Sequence, residues 1–318
     1  MDARSGSRIA RQQPPLQDAP GTINGFWPRG EIMIRVIAIC FAVLTAVVAH
    51  AQTPVPSGSR LESVKSTGAI KIAYRADAKP FSFVTDKKEV VGFTIEICKL
   101  AVKSISQQLG VGDLKIEWVP VTVQTRFSAV ATGKADMECG SSTVTLGRMK
   151  DVDFSSFVFV ESTGLMVRRA DNIQHFSNMG GKKIAVVSGT TNEQAVIRQI
   201  KQQKVDATVV AVKSRDEGVA AVESGDADGF ASDKLLLVGA NMKHPEKLEM
   251  LPDDLSVEPY AIVLPRGDWA FRLAVNTALS QIFRSGQIVP VFRSWFDQVG
   301  LRMGPVMQTV YALGALQN

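Results

Sequence analysis

Polar side chains able to grip a small charged molecule occur twice in this chain at matching places: Ser141, Ser142 and Thr143 in one, Ser232 and Asp233 in the other. The match is set by an internal echo 92 residues apart. Ala129-Val130-Ala131-Thr132-Gly133-Lys134-Ala135-Asp136 and Ala221-Val222-Glu223-Ser224-Gly225-Asp226-Ala227-Asp228 share Ala-Val, a hydroxyl-glycine pair and Ala-Asp. Each copy reads as a glycine-capped helix end running into a strand that delivers those polar residues at its carboxyl end. Hydroxyls donate and accept, an aspartate accepts from a cation, and Arg148 offers the planar fork that suits a carboxylate. Arg75 ends a strand and Arg126 opens a helix after Val119-Pro120-Val121, so two more guanidiniums sit at strand exits. Thr190 and Thr191 open another helix, where free N–H groups and the dipole favour an anion, and Thr190 with Glu193 has capping-box spacing. This is the chemistry of ion pairing and hydrogen bonding. No Ser-His-Asp order and no phosphate-cradling glycine loop stands beside it, and after residue 51 only His175, His244, Cys98 and Cys139 are left as soft ligands, none at metal spacing. Neither a metal nor a cofactor is expected.

The elements that must hold these residues alternate. Ala69–Tyr74 reads as a strand, Phe93 to Leu109 as a helix with Ile97, Leu100, Ala101 and Ile105 on one face, and Leu114–Trp118 as a strand. A helix at Arg126–Ala131 then precedes a short strand at Asp136–Cys139. A second round runs through a strand at Lys183–Val187, a helix at Thr190–Gln202 and a strand at Ala207–Val212, and the stretch from Phe271 to Phe296 reads as helices. This is the grammar of mostly parallel sheets flanked by helices, and ligands of such sheets bind outside the carboxyl ends of the strands. Two lobes facing one another would line a cleft from both sides.

Composition agrees. The 318 residues are 45% hydrophobic and 21% charged, a folded globular chain long enough for two domains. A net charge of +5 is not gathered into a run of five or more basic residues, so no nucleic-acid footprint is present. Met33-Ile34-Arg35, fourteen uncharged and mostly apolar residues from Val36 to Ala49, and Ala49-His50-Ala51 before Gln52 have the layout of a signal peptide over 33–51. The run is shorter than the roughly 20 residues of a membrane-spanning helix. Residues 1–32 carry no export character and read as a non-native or over-called extension. The alternative is a cytoplasmic tail before an uncleaved anchor. Cys98 and Cys139 either bridge, as an oxidising compartment favours, or stay as buried thiols.

Val91-Gly92-Phe93-Thr94-Ile95-Glu96-Ile97, Glu138-Cys139-Gly140-Ser141-Ser142-Thr143-Val144-Thr145-Leu146-Gly147-Arg148, Val152-Asp153-Phe154-Ser155, Ser188-Gly189-Thr190-Thr191-Asn192-Glu193 and Phe230-Ala231-Ser232-Asp233 carry a family likeness. In that order they resemble the extracytoplasmic polar amino-acid-binding proteins of ABC importers, over about Leu61 to Phe296. Through Val123-Gln124-Thr125-Arg126 and the Glu-Cys-Gly-Ser run the chain is most similar to the glutamate/aspartate-binding branch.

The resemblance implies an α/β clamshell of the type II periplasmic-binding-protein kind: lobe 1 from 52–160 plus 261–318, lobe 2 from 161–260, with crossovers near Phe159–Gly164 and Glu258–Ile262. It implies a monomer in the periplasm that delivers an amino acid or dicarboxylate to transmembrane permease subunits. Arg148 would take the ligand's α-carboxylate with Ser141, Ser142, Thr143, Thr190 and Thr191 around it, Asp233 the α-ammonium, and Arg75 and Arg126 a side-chain carboxylate. The chain departs from the branch where Val144 and Thr145 stand for two Asn, Arg215 for His and Lys234 for a second Asp; Arg215 adds positive charge near the mouth. Some secreted members of the fold are enzymes, so a cyclohexadienyl dehydratase is the alternative, with Glu138 or Glu161 as general acid.

Overall fold

The computed structural model describes residues 55–241 and 245–317; the extension 1–32, the signal segment 33–51 and His244 lie outside them. No helix among the described residues is long and apolar enough to cross a membrane. After α1 (Arg60–Thr67), strand β1 (Ala69–Arg75) pairs in parallel with β5 (Lys115–Val121) on one side and with the two-residue β6 (Met137–Glu138) on the other. Between β1 and β5 comes α2 (Phe93–Leu109), its Ile97, Ala101 and Ile105 buried as the 3.6-residue period requires, and α3 (Arg126–Ala131) joins β5 to β6. A small antiparallel sheet, β2 (Asp77–Ala78), β3 (Ser82–Val84) and β4 (Val90–Val91), grows from the end of β1.

The second round repeats this arrangement. Strand β8 (Lys183–Val187) pairs in parallel with β9 (Thr208–Val212) and β10 (Gly229–Asp233), with α4 (Thr191–Gln203) and α5 (Arg215–Ser224) as the connecting helices. The two rounds are joined by two long strands, β7 (Val152–Arg168) and β12 (Val257–Pro265), in the order β5-β1-β6-β12-β7-β10-β8-β9; α6 (Lys234–Asn241) follows β10, and β11 (Leu248–Met250) pairs with β7. Read outward from the β12–β7 pair, each side shows one short or late strand, one early strand and one outer strand. The echo in the sequence is therefore a structural equivalence. Asp136 accepts from the Lys71 amide (2.7 Å) and Asp228 from the Lys183 amide (2.8 Å), each bracing the first residues of its lobe's central strand. Gly133 and Gly225 adopt φ of +77° and +86°, the left-handed conformation that ends each helix.

Both faces of each half-sheet are covered. Ile70, Ile72, Phe81, Phe93, Phe159, Phe292 and Phe296 form one core with α2, α7 (Trp269–Arg284), α8 (Ile288–Phe296) and α9 (Pro305–Gly314) around it. The opposite face packs Ala73, Val130, Phe154 and Val263. In the second lobe, Ile184 and Val186 join one core and Ala185 and Val187 the other, which is why Ile184–Val187 reads as an unbroken apolar run. Cys98 on α2 and Cys139 just past β6 form a disulfide.

The expected crossovers are two neighbouring strands. Phe159, Val160, Glu161 and Ser162 of β7 lie opposite Tyr260, Pro259, Glu258 and Val257 of β12, and the register slips between Tyr260 and Val263. Residues 152–162 of β7 pair with β12, whereas 163–167 pair with β10. The chain thus passes from one lobe to the other within continuous backbone.

Candidate ligand-binding cleft

The carboxyl ends of β1, β6 and β10 and the N-termini of α3, α4 and α5 meet beside the β7–β12 crossing. Every residue singled out for binding lies on one of them, or on the segment after β6. Arg75, Arg126, Ser141, Ser142, Thr143, Ser232 and Asp233 are all buried. The lobes touch here: Thr143 Oγ1 lies 3.3 Å from Thr191 Oγ1, and the cavity lined by Arg75, Asp77, Thr190, Asn192, Arg215 and Ser232 measures only about 10 Å³. That is the room of a single water, so any larger molecule enters only if the lobes part.

Positive charge gathers on the first lobe, with Arg215 added from the second. Arg126 and Arg148 place their guanidinium carbons 4.8 and 4.7 Å from the centroid of the same Phe127 ring. Arg148 Nη1 donates to the Thr143 carbonyl (2.7 Å) and Arg126 Nη1 to that of Ser141 (3.3 Å). Burial, and then the charge of Arg148, lower the Arg126 pKa to about 9 against the raising effect of Glu138. Arg215 is also lowered, by burial and then by Arg75. Glu138 sits among these cations, its carboxylate accepting from Ser142 Oγ (2.7 Å), yet burial outweighs Arg126 and raises its pKa. A Cβ at Gly140 would fall 2.1 Å from Glu138 Oε1, so a side chain there would displace that carboxylate.

Negative charge gathers where the crossover strands meet the second lobe. Asp233, the last residue of β10, accepts from Asn192 Nδ2 (3.0 Å), which also donates to Thr163 Oγ1 (2.8 Å). Glu258 accepts from Thr143 Oγ1 (2.7 Å) and Thr163 Oγ1 (3.3 Å). Burial, and then Glu258, raise the Asp233 pKa. Tyr260 is fully buried, and its hydroxyl has no partner of acceptable hydrogen-bond geometry, although Asp233 is close enough to help burial raise its pKa. Glu161, across the strand pair from Glu258, accepts from the amides of Ser162 (2.9 Å) and Leu235 (3.4 Å), and burial pushes its pKa up to about 8.

The buried side-chain atoms left without a hydrogen-bond partner concentrate in this place. Arg75 Nη1, Arg126 Nε, Arg215 Nε, Glu138 Oε1, Ser141 Oγ and Tyr260 Oη are among them, and of the described residues only Thr94 and Asp171 add others elsewhere. Orphaned donors of this kind are costly unless something completes them. Two of the expected residues already have partners inside the protein, Thr190 in the capping pair that its spacing implies. The Ser142 hydroxyl is turned to Glu138, and Thr190 caps α4 by accepting from the Glu193 amide (3.2 Å), while Glu193 reaches back to the Gly189 amide (2.9 Å). Asp77, Asn192, Glu258 and Tyr260 were missed. An acid flanked by Val257 and Pro259 on a crossover, and an amide two residues inside a helix whose start faces the cleft, were the signals available.

The sequence profile of the bacterial extracellular solute-binding proteins, family 3, matches residues 70–298. A glutamate/aspartate import solute-binding protein of Salmonella typhimurium is 31% identical over 256 residues, 80% of this chain and 85% of that protein. An L-glutamate/L-aspartate-binding protein of Pseudomonas aeruginosa is 32% identical over 241 residues, 75% of this chain and 80% of that protein. Among solved structures, an ancestral amino acid-binding protein described as a precursor of cyclohexadienyl dehydratase aligns with a TM-score of 0.65 at 28% identity, covering 75% of this chain and 100% of that one. An ancestral arginine-binding protein bound to arginine aligns with a TM-score of 0.64 at 27% identity, covering 72% and 98%. The two-lobed clamshell with two crossover strands is the type II periplasmic-binding-protein fold.

Proposed function

The chain belongs to the bacterial extracellular solute-binding proteins of family 3, and from that premise we propose that it captures a free amino acid bearing a second carboxylate, glutamate or aspartate above others, for an ABC importer. The observation that carries this reading is the split of charge across the cleft. Burial, and then a neighbouring guanidinium, lowers the pKa of Arg126 and of Arg215, while burial, and then Glu258, raises that of Asp233. A zwitterion relieves both ends at once, its carboxylate at Arg148 and Ser141 and its ammonium at Asp233. A second carboxylate would meet Arg126 and Arg75, each of which keeps one buried donor unpartnered. The names of the relatives support the same ligand class.

In this reading residues 161–260 swing as one lobe against 52–160 with 261–318, about β7 and β12. The closed form is what the membrane permease subunits receive from a monomeric carrier. Val36–Ala49 serves as the apolar part of a cleaved export signal to the periplasm, with residues 1–32 as an extension ahead of it. The dehydratase alternative finds less support, because each candidate acid is already engaged: Glu138 by Ser142, Glu161 by the Ser162 and Leu235 amides.

Calorimetric titration with the pairs glutamate and glutamine, aspartate and asparagine tests the reading. Wild type binds the acids more tightly, and Arg126→Met weakens the acid far more than the amide, because a charge-assisted bond in a desolvated site is lost in one case and a neutral one in the other. Equal losses for acid and amide would withdraw the acidic ligand; no heat with any amino acid would withdraw the reading itself.

A further inference from the structure

The fork of Arg75 is not free. Its Nε and Nη2 donate to Asp77 Oδ1 (2.8 Å) and Oδ2 (2.7 Å), the paired geometry in which a guanidinium holds a carboxylate. From the opposite lobe, Arg215 Nη1 donates to the Asp77 carbonyl (3.1 Å) and to Oδ2 (3.3 Å). One carboxylate of the protein therefore takes two cations, one two residues away along the chain and the other 138 residues away.

An ordinary surface ion pair would be weak, and the Asp77 side chain is 44% exposed. The cations argue otherwise: the Arg75 side chain is 1% exposed and that of Arg215 15%. Arg215 is moreover the first residue of α5, the end of a helix where a cation is disfavoured. Its position makes electrostatic sense only with an anion in front of it, and Asp77 is the acid placed there. Burial works against the charge on Asp77, yet Arg75 and Arg215 together hold its carboxyl below the usual range. All three residues line the same small cavity as Thr190, Asn192 and Ser232.

We propose that Asp77 is a specificity-determining residue of the cleft: a carboxylate of the protein that ties Arg75 to Arg215 across the closed lobes and blunts the preference for a ligand with a second carboxylate over its amide. This rests on the amino-acid-binding reading. The tie occupies the donors that a ligand carboxylate would otherwise receive in pairs, leaving it Arg75 Nη1 and Arg215 Nε. It also gives the closed form a contact that needs no ligand, so part of closure is independent of what is bound.

Two measurements decide it. In Asp77→Asn, the ratio of acid to amide affinity, read by calorimetry with glutamate and glutamine, rises roughly ten-fold, because two cations lose their internal counter-charge and the ligand carboxylate supplies it. By small-angle scattering without ligand, Asp77→Asn and Arg215→Gln both show a larger radius of gyration than wild type. Arg215→Gln keeps the Arg75–Asp77 pair and breaks only the bridge, so it stands as the test if Asp77→Asn does not fold. An affinity ratio within about two-fold of wild type, or superimposable ligand-free scattering profiles, overturns the proposal. Should wild type bind neither acid nor amide, the ligand reading fails by itself, and the scattering still decides whether Asp77 bridges the lobes.

Discussion

Arg148 and Asp233 show how little one residue explains alone. Arg148 is bonded to the Thr143 carbonyl and stacked on Phe127, and burial lowers its pKa against the opposing effect of Glu258 and Asp233 across the cleft. Asp233 is in turn held by Asn192 and pressed by Glu258. In the proposed reading each is poised for a ligand group of opposite sign. Truncating either, as Arg148→Ala or Asp233→Ala, leaves one charged end of a bound amino acid buried without a partner, and the expected loss is roughly 3–5 kcal/mol of binding free energy. Competition titration against the wild type measures it. A variant of Asp233 that binds as tightly as wild type would point to an organic acid without an amine.

At the scale of elements, the covalent tie between α2 and the end of β6 matters most for the first lobe. Cys98 and Cys139 are 41 residues apart, and closing a loop of that length in the unfolded chain is expected to stabilise the fold by about 4 kcal/mol. The Glu138-Cys139-Gly140-Ser141 segment leads from β6 into the cleft, so the tether lies within two residues of both Ser141 and Glu138. Denaturant unfolding with and without reductant should show a lower midpoint for the reduced protein, with affinity falling alongside. Unchanged affinity in the reduced but folded protein would confine the bridge to stability. The second lobe has no equivalent covalent tie among the described residues and relies on capping: Thr190 with Glu193 and Ser214 with Glu217 hold the two helix starts that face the cleft.

The whole molecule carries a pH signature written in the crossover strands. Glu161 has a folded pKa of about 8, against 4.5 for an ordinary glutamate, so between those values the folded state keeps a proton that the unfolded chain has released. Its contribution to stability is complete below about pH 4.5 and is lost as pH rises through about 8. Glu138 and Asp233 are raised as well and act in the same sense, while Asp77 is lowered and acts in the opposite sense only at acid pH. Urea unfolding from pH 5 to 8.5 should therefore show wild type losing on the order of 4 kcal/mol relative to Glu161→Gln. Parallel profiles for the two proteins would mean that Glu161 is ionised in the folded state and that the crossover tolerates its charge.

The sequence by itself determined the elements and most of the polar inventory. Period and capping placed α2 and the β8 strand, and the repeated Ala-Asp pattern located two equivalent strand entries, because these depend on neighbours within a few residues. It also brought the binding candidates to strand exits, where a sheet of this kind opens. What only the tertiary structure decided is who faces whom. Whether Cys98 reaches Cys139, that Ser142 turns to Glu138, that Asn192 holds Asp233, and that Asp77 stands between Arg75 and Arg215 are all contacts between segments distant in the chain or turned toward one another by the fold. An exposed-looking Asp two residues after an Arg carries no local signal of that kind. Its role comes from α5 of the other lobe, brought opposite by β7 and β12, and long-range electrostatics of this sort is set by three-dimensional distance and burial, which no spacing along the chain encodes.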